Sequence, residues 1–174
     1  MLAFAVIGAR SKVGVTSFAA NLALSFAQMA VPTLLVDANL RRPRLTGLFG
    51  LDKETEGLVE ALTLRATDSS SMIVDVLPCL SLFVAGATAP HPQELLISKE
   101  FLTLSQNAQR NFGVVIYDTP PALESADAYV VAPRVGSAIL VARQHRTRVK
   151  DIENITHTLT GHQCEIAGTV LGRH

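Results

Sequence analysis

The chain has 174 residues, a length that suits one domain with a buried core and is short for two. Hydrophobic residues make up 48% of it, which excludes an intrinsically disordered chain. Its 15 basic and 15 acidic residues give a net charge of zero, so the charge balance points to no nucleic-acid partner. The two cysteines, Cys79 and Cys164, match no metal or redox spacing. We therefore expect a cytoplasmic, reduced protein.

Apolar runs alternate along the chain with segments of helical periodicity. The runs predict strands at 3–7, 33–36, 73–76, 80–85, 114–117, 137–142 and 165–171. The periodic segments predict helices at 15–30, 58–62, 92–108, 124–132 and 148–160, with loop-rich chain at 38–57. This alternation predicts an α/β fold, with a mostly parallel central sheet and helices on both faces. Because no linker or repeat divides the sequence, we expect a single domain over residues 1–174.

The segment that joins the first strand to the first helix carries a candidate anion site. Its residues are Arg10, Ser11, Lys12, Val13, Gly14, Val15, Thr16 and Ser17. Backbone N–H groups in such a loop, together with the N-terminus of the helix, are suited to hold phosphate. In the template G-x-x-x-x-G-K-[ST], Ala9 replaces the first glycine, while Gly14 and Thr16 match the second glycine and the metal-binding hydroxyl. Val15 stands where the template has its lysine, so the loop taken alone is a failed motif.

Two aspartates, Asp37 and Asp118, each follow a predicted strand. Ligands of parallel sheets bind beyond the carboxyl ends of the strands, which is where these side chains are expected. There the two carboxylates could hold Mg²⁺, directly or through water. Each also fits a simpler role as the cap of a turn or helix. The presence of two such residues facing one loop favours the metal site.

Three arginines, Arg41, Arg42 and Arg44, crowd the loop that follows Asp37. Their guanidinium groups are suited to bind phosphate or a partner. They also fit an ordinary solvated face, which is the favoured interpretation of a lone run of charges. The histidines show no spacing typical of a metal site.

Longer segments around these residues resemble a known family. Residues 34–43 read LLVDANLRRP, residues 92–98 read PQELLIS, and residues 114–121 read VVIYDTPP. With the helix at 16–23, these segments resemble the cytoplasmic ATPase domain of bacterial tyrosine kinases that control capsule and exopolysaccharide polymerisation. Those kinases are P-loop proteins related to septum-positioning and partitioning ATPases. The resemblance runs through essentially the whole chain and implies a three-layer, P-loop NTPase-like α/β/α domain.

The resemblance implies specific roles for the candidate site. By position, it assigns residues 10–17 to the binding of ATP or ADP. It assigns Thr16, Asp37 and Asp118 to Mg²⁺, with the two aspartates also as catalytic acid–base groups.

The resemblance also implies a partner, a membrane chain-length-determinant (polysaccharide co-polymerase) protein, and leaves a homo-oligomer open. No apolar run approaches the roughly 20 residues that cross a bilayer, and the first residues lack the basic region of a signal peptide. We therefore expect a cytoplasmic chain that reaches the inner membrane only through its partner.

The chain departs from the family pattern at positions that serve phosphate binding and phosphoryl transfer. Val15 replaces the phosphate-binding lysine, and Asn39 replaces the second acid of the D-x-D pattern. The sequence ends at His174 without the tyrosine-rich tail that the family phosphorylates, so tail autophosphorylation is not expected. The tyrosines, Tyr117 and Tyr129, fall in a predicted buried strand and a predicted helix.

These observations lead to a main and an alternative expectation. The main one is a P-loop ATPase or tyrosine-kinase-like domain of an exopolysaccharide system, a pseudokinase with impaired or absent phosphoryl transfer and a regulatory role. The alternative is an active ATP-dependent tyrosine kinase or ATPase that uses Arg10 or Lys12 in place of the missing lysine. A partitioning ATPase is a third option, against which residues 94–96 and the arginine-rich loop argue.

Overall fold

The computed structural model describes residues 2–64 and 70–173. The strands are β1 Leu2–Gly8, β2 Thr33–Asp37, β3 Val74–Leu77, β4 Leu80–Phe83, β5 Val114–Asp118, β6 Ser137–Arg143 and β7 Glu165–Gly172. The helices are α1 Val15–Gln28, α2 Leu45–Leu48, α3 Leu58–Thr63, α4 Pro92–Ile97, α5 Lys99–Asn111, α6 Asp127–Val135 and α7 Val149–Gly161, with a 3-10 turn at Ser70–Met72.

The strands form one sheet in the order β3-β4-β2-β5-β1-β6-β7. All neighbours run parallel except β3, which pairs antiparallel with β4. Successive residues of a strand point to opposite faces, so Ala5 and Ile7 pack into one apolar cluster while Val6 packs into the other. Helices cover both clusters, which confirms the predicted three-layer α/β fold.

The strand register brings the candidate site residues to one edge of the sheet. Asp37 and Asp118 end neighbouring strands and lie directly opposite each other in the β2–β5 ladder. On the other side of β1, Gly8 pairs with Val141 of β6. The loop that leaves Gly8 therefore lies between the ends of β5 and β6.

The predicted helix at 92–108 is wrong as a single element. The structure has two helices there, α4 and α5, separated at Ser98, whose ψ of 158° is extended. The Ser98 hydroxyl donates to the Leu95 carbonyl at 2.6 Å and accepts from the Phe101 N–H at 3.2 Å. Serine favours such N-caps because its oxygen satisfies a free N–H of the next helix. The helix predicted at 124–132 begins instead at Asp127.

The segment 38–57, predicted as loop, contains the short helix α2. The predicted placements of Tyr117 in a buried strand and Tyr129 in a helix are both confirmed. None of the helices in residues 2–64 and 70–173 has the length and apolar character needed to cross a membrane.

Candidate functional site

A cleft of about 550 Å³ lies at the carboxyl edge of the sheet. Residues 10–17 form one wall, and the loops that follow β2 and β5 form the others. Its basic lining residues are Arg10, Lys12, Arg41, Arg42, Arg44 and Arg143. Glu124 is the one carboxylate among the described lining residues. Because opposite charge attracts, the cleft is suited to a polyanionic ligand.

The loop before α1 presents free backbone donors to this cleft. Gly14 precedes the helix with a φ of 99°, a left-handed conformation that glycine adopts without strain. No side chain caps the N-terminus of α1. The N–H groups of its first turn, which include those of Val15, Thr16 and Ser17, are therefore available to an anion.

Val15 fills the lysine position with an apolar side chain that is 9% exposed. It packs with Val13 over the end of β1, where a Cβ on Gly8 would lie 2.6 Å from a methyl carbon of each valine. Glycine at position 8 is thus required for the loop to close over the strand. The helix start offers hydrogen-bond donors at this point but no side-chain charge.

Arg10 and Ser11 of the loop are held by contacts that the sequence did not predict. The Arg10 guanidinium lies 3.5 Å from the Asp151 carboxylate of α7. The Ser11 N–H donates to the Glu124 carboxylate at 2.8 Å. This bond is the first cause of a lowered pKa of Glu124. Arg10 is thus directed towards α7, which weakens its candidacy as the replacement cation.

Arg143, at the end of β6, is a cleft residue that the sequence analysis missed. Its guanidinium donates to the Lys12 carbonyl at 2.9 Å. The rule that placed Asp37 and Asp118 at the carboxyl edge applies equally to Arg143, since it also ends a strand of the sheet. Applied to every strand end, that rule would have found it.

Asp118 ends β5 directly before the cleft residue Thr119, and its carboxylate is fully buried. Within residues 2–64 and 70–173 neither oxygen has a hydrogen-bond partner of good geometry. Burial, followed by the charge of Asp37, raises its pKa to about 7. The nearby Thr16 hydroxyl offsets part of that rise. A buried carboxylate without a partner, beside a hydroxyl, fits a Mg²⁺ ion, which prefers oxygen ligands.

Asp37 is buried as well, but its oxygens already have partners. Its carboxylate accepts from the N–H groups of Asn39 at 3.2 Å, Arg44 at 3.0 Å and Leu45 at 3.0 Å. Burial is the larger effect on its pKa, which rises to about 6. This geometry favours the simpler of the two predicted roles, in which Asp37 caps the turn that follows its strand. A role towards Mg²⁺ would then act through water.

Asn39, which replaces the second acid of the family pattern, is also part of that turn. Its side-chain oxygen accepts from the Arg42 N–H at 3.2 Å. In the described part of the chain, no three His, Cys, Asp or Glu side chains converge as a metal-binding group. A Mg²⁺ ion here would therefore take most of its ligands from water and from phosphate, as it commonly does.

Arg41 binds a carboxylate and is not free for phosphate. Its Nε lies 2.7 Å and its Nη2 3.0 Å from the two oxygens of Asp127, which is fully buried at the start of α6. The Arg41 side chain is 42% exposed. This bidentate pair joins the loop after β2 to α6, so the predicted phosphate-binding role does not fit Arg41.

We expect the Arg41→Ala substitution to lower the free energy of unfolding by about 1–3 kcal/mol, because it leaves a buried charge on Asp127. Solvent weakens the pairing, because the Arg41 side chain is 42% exposed. Chemical denaturation of Arg41→Ala, Asp127→Ala and the double variant measures the coupling energy. The exposed neighbour Arg42→Ala is the control. Additive effects of the two single substitutions would contradict the pairing.

Sequence comparison places the chain among bacterial tyrosine-protein kinases. It is 28% identical over 164 residues to the putative tyrosine-protein kinase CapB of Staphylococcus aureus, covering 94% of this chain and 72% of CapB. It is 32% identical over 148 residues to the tyrosine-protein kinase Ptk of Acinetobacter johnsonii. That match covers 85% of this chain but only 20% of Ptk, so the chain spans about a fifth of that relative. A comparison with models of protein families gave no match.

Solved structures that are similar to this chain also include tyrosine kinase domains. The kinase domain of VpsO has a TM-score of 0.92 and 31% identity, covering 99% of this chain and 85% of that one. The kinase domain of Escherichia coli ETK has a TM-score of 0.92 and 30% identity, covering 99% and 67%. MinD from Pyrococcus horikoshii, solved with Mg-ADP, shares the fold, with a TM-score of 0.84, 19% identity and coverage of 98% and 69%. The chain therefore belongs to the bacterial tyrosine kinase family of P-loop proteins.

Proposed function

We propose that this chain is the nucleotide-binding domain of a bacterial exopolysaccharide tyrosine-kinase system, and that its own phosphoryl transfer is weak or absent. One observation carries the proposal. A basic cleft lies at the uncapped start of α1, and the buried carboxylate of Asp118 directly precedes the cleft residue Thr119 and lies beside the Thr16 hydroxyl, but the lysine position holds the buried side chain of Val15. The cleft thus has the features of a phosphate-binding site but lacks the lysine charge that would stabilise phosphoryl transfer.

Different residues of the chain would bind the phosphates and the Mg²⁺ ion. Backbone N–H groups of residues 12–17 would hold the phosphates of ATP or ADP, and Gly14 leaves room for their close approach. The Thr16 hydroxyl and the Asp118 carboxylate would hold Mg²⁺, while Asp37 fixes the adjoining loop. A bound Mg²⁺ supplies charge neutralisation to the phosphate oxygens.

We expect weaker nucleotide binding and weaker phosphoryl transfer because Val15 carries no charge. Loss of one charge-assisted hydrogen bond weakens binding by about 1.5–3 kcal/mol, or one to two decades in affinity. The effect on transfer should be larger, because the lysine stabilises charge that is spread over the phosphoryl group in the transition state. Nucleotide binding without efficient turnover is the state we propose, which is that of a regulatory pseudokinase.

The partner we propose is a membrane chain-length-determinant protein that holds this cytoplasmic domain at the inner membrane. Support comes from the relationship to bacterial tyrosine-protein kinases such as CapB. A homo-oligomer is part of the same proposal, because the resemblance to this family leaves one open.

A second candidate is an active kinase or ATPase in which another cation replaces the lysine. Lys12 supports it, since Lys12 lines the cleft and forms no ion pair with any described carboxylate, whereas Arg10 lies beside Asp151. The candidate predicts that turnover depends on Lys12.

Phosphate release from ATP·Mg²⁺ by the intact chain separates the two candidates. We expect saturable nucleotide binding with release close to the protein-free background, and no change in release for Lys12→Ala. Release far above background that collapses in Lys12→Ala or Arg10→Ala would overturn the proposal in favour of the active enzyme.

A further inference from the structure

The six basic side chains of the cleft differ in whether their charge is already paired. Arg10 lies beside Asp151, and Arg41 forms its bidentate pair with Asp127. The cleft residues that form no ion pair within residues 2–64 and 70–173 are Lys12, Arg42, Arg44 and Arg143. These four retain a positive charge that a ligand can use.

Arg143 differs from the other three because its guanidinium has a hydrogen-bond partner among the described residues. It is half-buried, whereas the other three are exposed. It ends β6, two residues beyond Val141, the partner of Gly8 in the β1–β6 ladder. Its guanidinium therefore reaches the loop that leaves Gly8, and it donates to the Lys12 carbonyl at 2.9 Å. A cation that is already ordered loses less conformational entropy when it binds an anion.

The hydrogen bond also holds a strained residue of the loop. Lys12 has a φ of 64°, a left-handed conformation that is unfavourable for a residue other than glycine. The contact with its carbonyl uses one of the five N–H donors of the guanidinium. The remaining donors have no hydrogen-bond partner among the described residues, and the side chain lines the cleft. Arg143 can therefore hold the loop and contact an anion at the same time.

We infer that Arg143 supplies a side-chain charge that contacts the phosphate chain of the ligand when the ligand binds in this loop. The inference rests on the proposed function for the identity of the ligand as a nucleotide. The contact itself requires only a chain of phosphates.

Calorimetric titrations of the intact chain with inorganic tripolyphosphate and with ATP·Mg²⁺ test this inference. Arg143→Gln removes the charge but keeps an N–H donor, and we expect it to weaken tripolyphosphate binding at least about tenfold. Arg143→Lys restores the charge and should recover part of the affinity. Arg146→Gln, an exposed arginine of the same loop outside the cleft lining, should bind within about twofold of the wild type. Thermal unfolding of each variant checks that the fold is kept.

The salt dependence of binding distinguishes a charge contact between Arg143 and phosphate from a purely structural role of Arg143. If Arg143 contacts phosphate, its advantage over Arg143→Gln shrinks as the KCl concentration rises, because salt screens charges. A salt-independent difference, or equal binding by Arg143→Gln and the wild type, overturns the inference. Tripolyphosphate binding that needs Arg143, without ATP binding, would refute the nucleotide function alone. The absence of binding of either ligand to the wild type refutes both.

Discussion

Replacing Val15 with lysine is expected to strengthen the binding of ATP·Mg²⁺ by about one to two decades. The substitution returns a cation to the start of α1, where the cleft already offers backbone donors. Val15 is mostly buried beside Gly8, but a lysine can place its aliphatic stem in that space and its ammonium group in the cleft. Calorimetric titration of both proteins measures the gain.

A matched control isolates the charge. Val15→Met has a stem of similar length without the ammonium group, so it should bind ATP·Mg²⁺ within about threefold of the wild type. If Val15→Lys binds no more tightly than Val15→Met, the account of position 15 as a missing phosphate contact is contradicted.

Asp118→Asn is expected to stabilise the fold by up to about 4 kcal/mol above neutral pH, while it removes Mg²⁺-dependent nucleotide binding. The carboxylate is buried without a hydrogen-bond partner of good geometry among the described residues, and its pKa rises from 3.8 to about 7 in the folded chain. Above pH 7 the folded state therefore contains a charge that the unfolded chain would hydrate better. An amide of the same size removes that charge at the expense of the proposed Mg²⁺ ligand.

The effect of Asp118→Asn on the free energy of unfolding should depend on pH. Below pH 3.8 the Asp118 carboxyl is protonated in both states, and the substitution should matter little. Between pH 3.8 and about 7 only the folded state keeps the proton, so wild-type stability falls as pH rises, and the advantage of asparagine grows. Urea denaturation at several pH values measures it. Glu153→Gln, at an exposed position of α7, is the control and should change stability by less than about 0.5 kcal/mol.

An Asp118→Asn variant that is less stable than the wild type at pH 8 would show that the carboxylate has stabilising partners. Such a result would remove the argument that position 118 is kept for a ligand. Conversely, a stabilised variant that still binds ATP with unchanged Mg²⁺ dependence would separate Asp118 from the metal. Both readouts are therefore needed on the same protein.

The sequence was informative about the fold because its central strands are apolar on both faces. Runs such as residues 114–117 bury every side chain and stop at a polar residue, so their type and end were predictable. The break at Ser98 was not, because the apolar pattern continues through it and only the hydroxyl contacts with Leu95 and Phe101 divide the helix. The N-cap at Ser98 therefore ends one helix and starts the next, although the apolar periodicity predicts a single helix.

The candidate site was predictable where a residue's place in a strand or loop decides its position. Asp37, Asp118 and the loop before α1 were placed at one edge by topology alone. The partners Asp151 and Glu124 were not predictable, because they contact the loop from segments more than 100 residues away in sequence. Whether Asp37 ligates a metal or caps a turn depends on three backbone contacts that the sequence pattern does not encode.

A calorimetric titration of ATP into the wild-type chain, with and without Mg²⁺, tests whether the cleft binds a nucleotide. We expect saturable binding of one nucleotide per chain that depends on Mg²⁺, at an affinity that Val15→Lys improves. No detectable binding up to about 1 mM ATP with Mg²⁺ present, unchanged by Val15→Lys, would contradict the claim that this cleft is a nucleotide site.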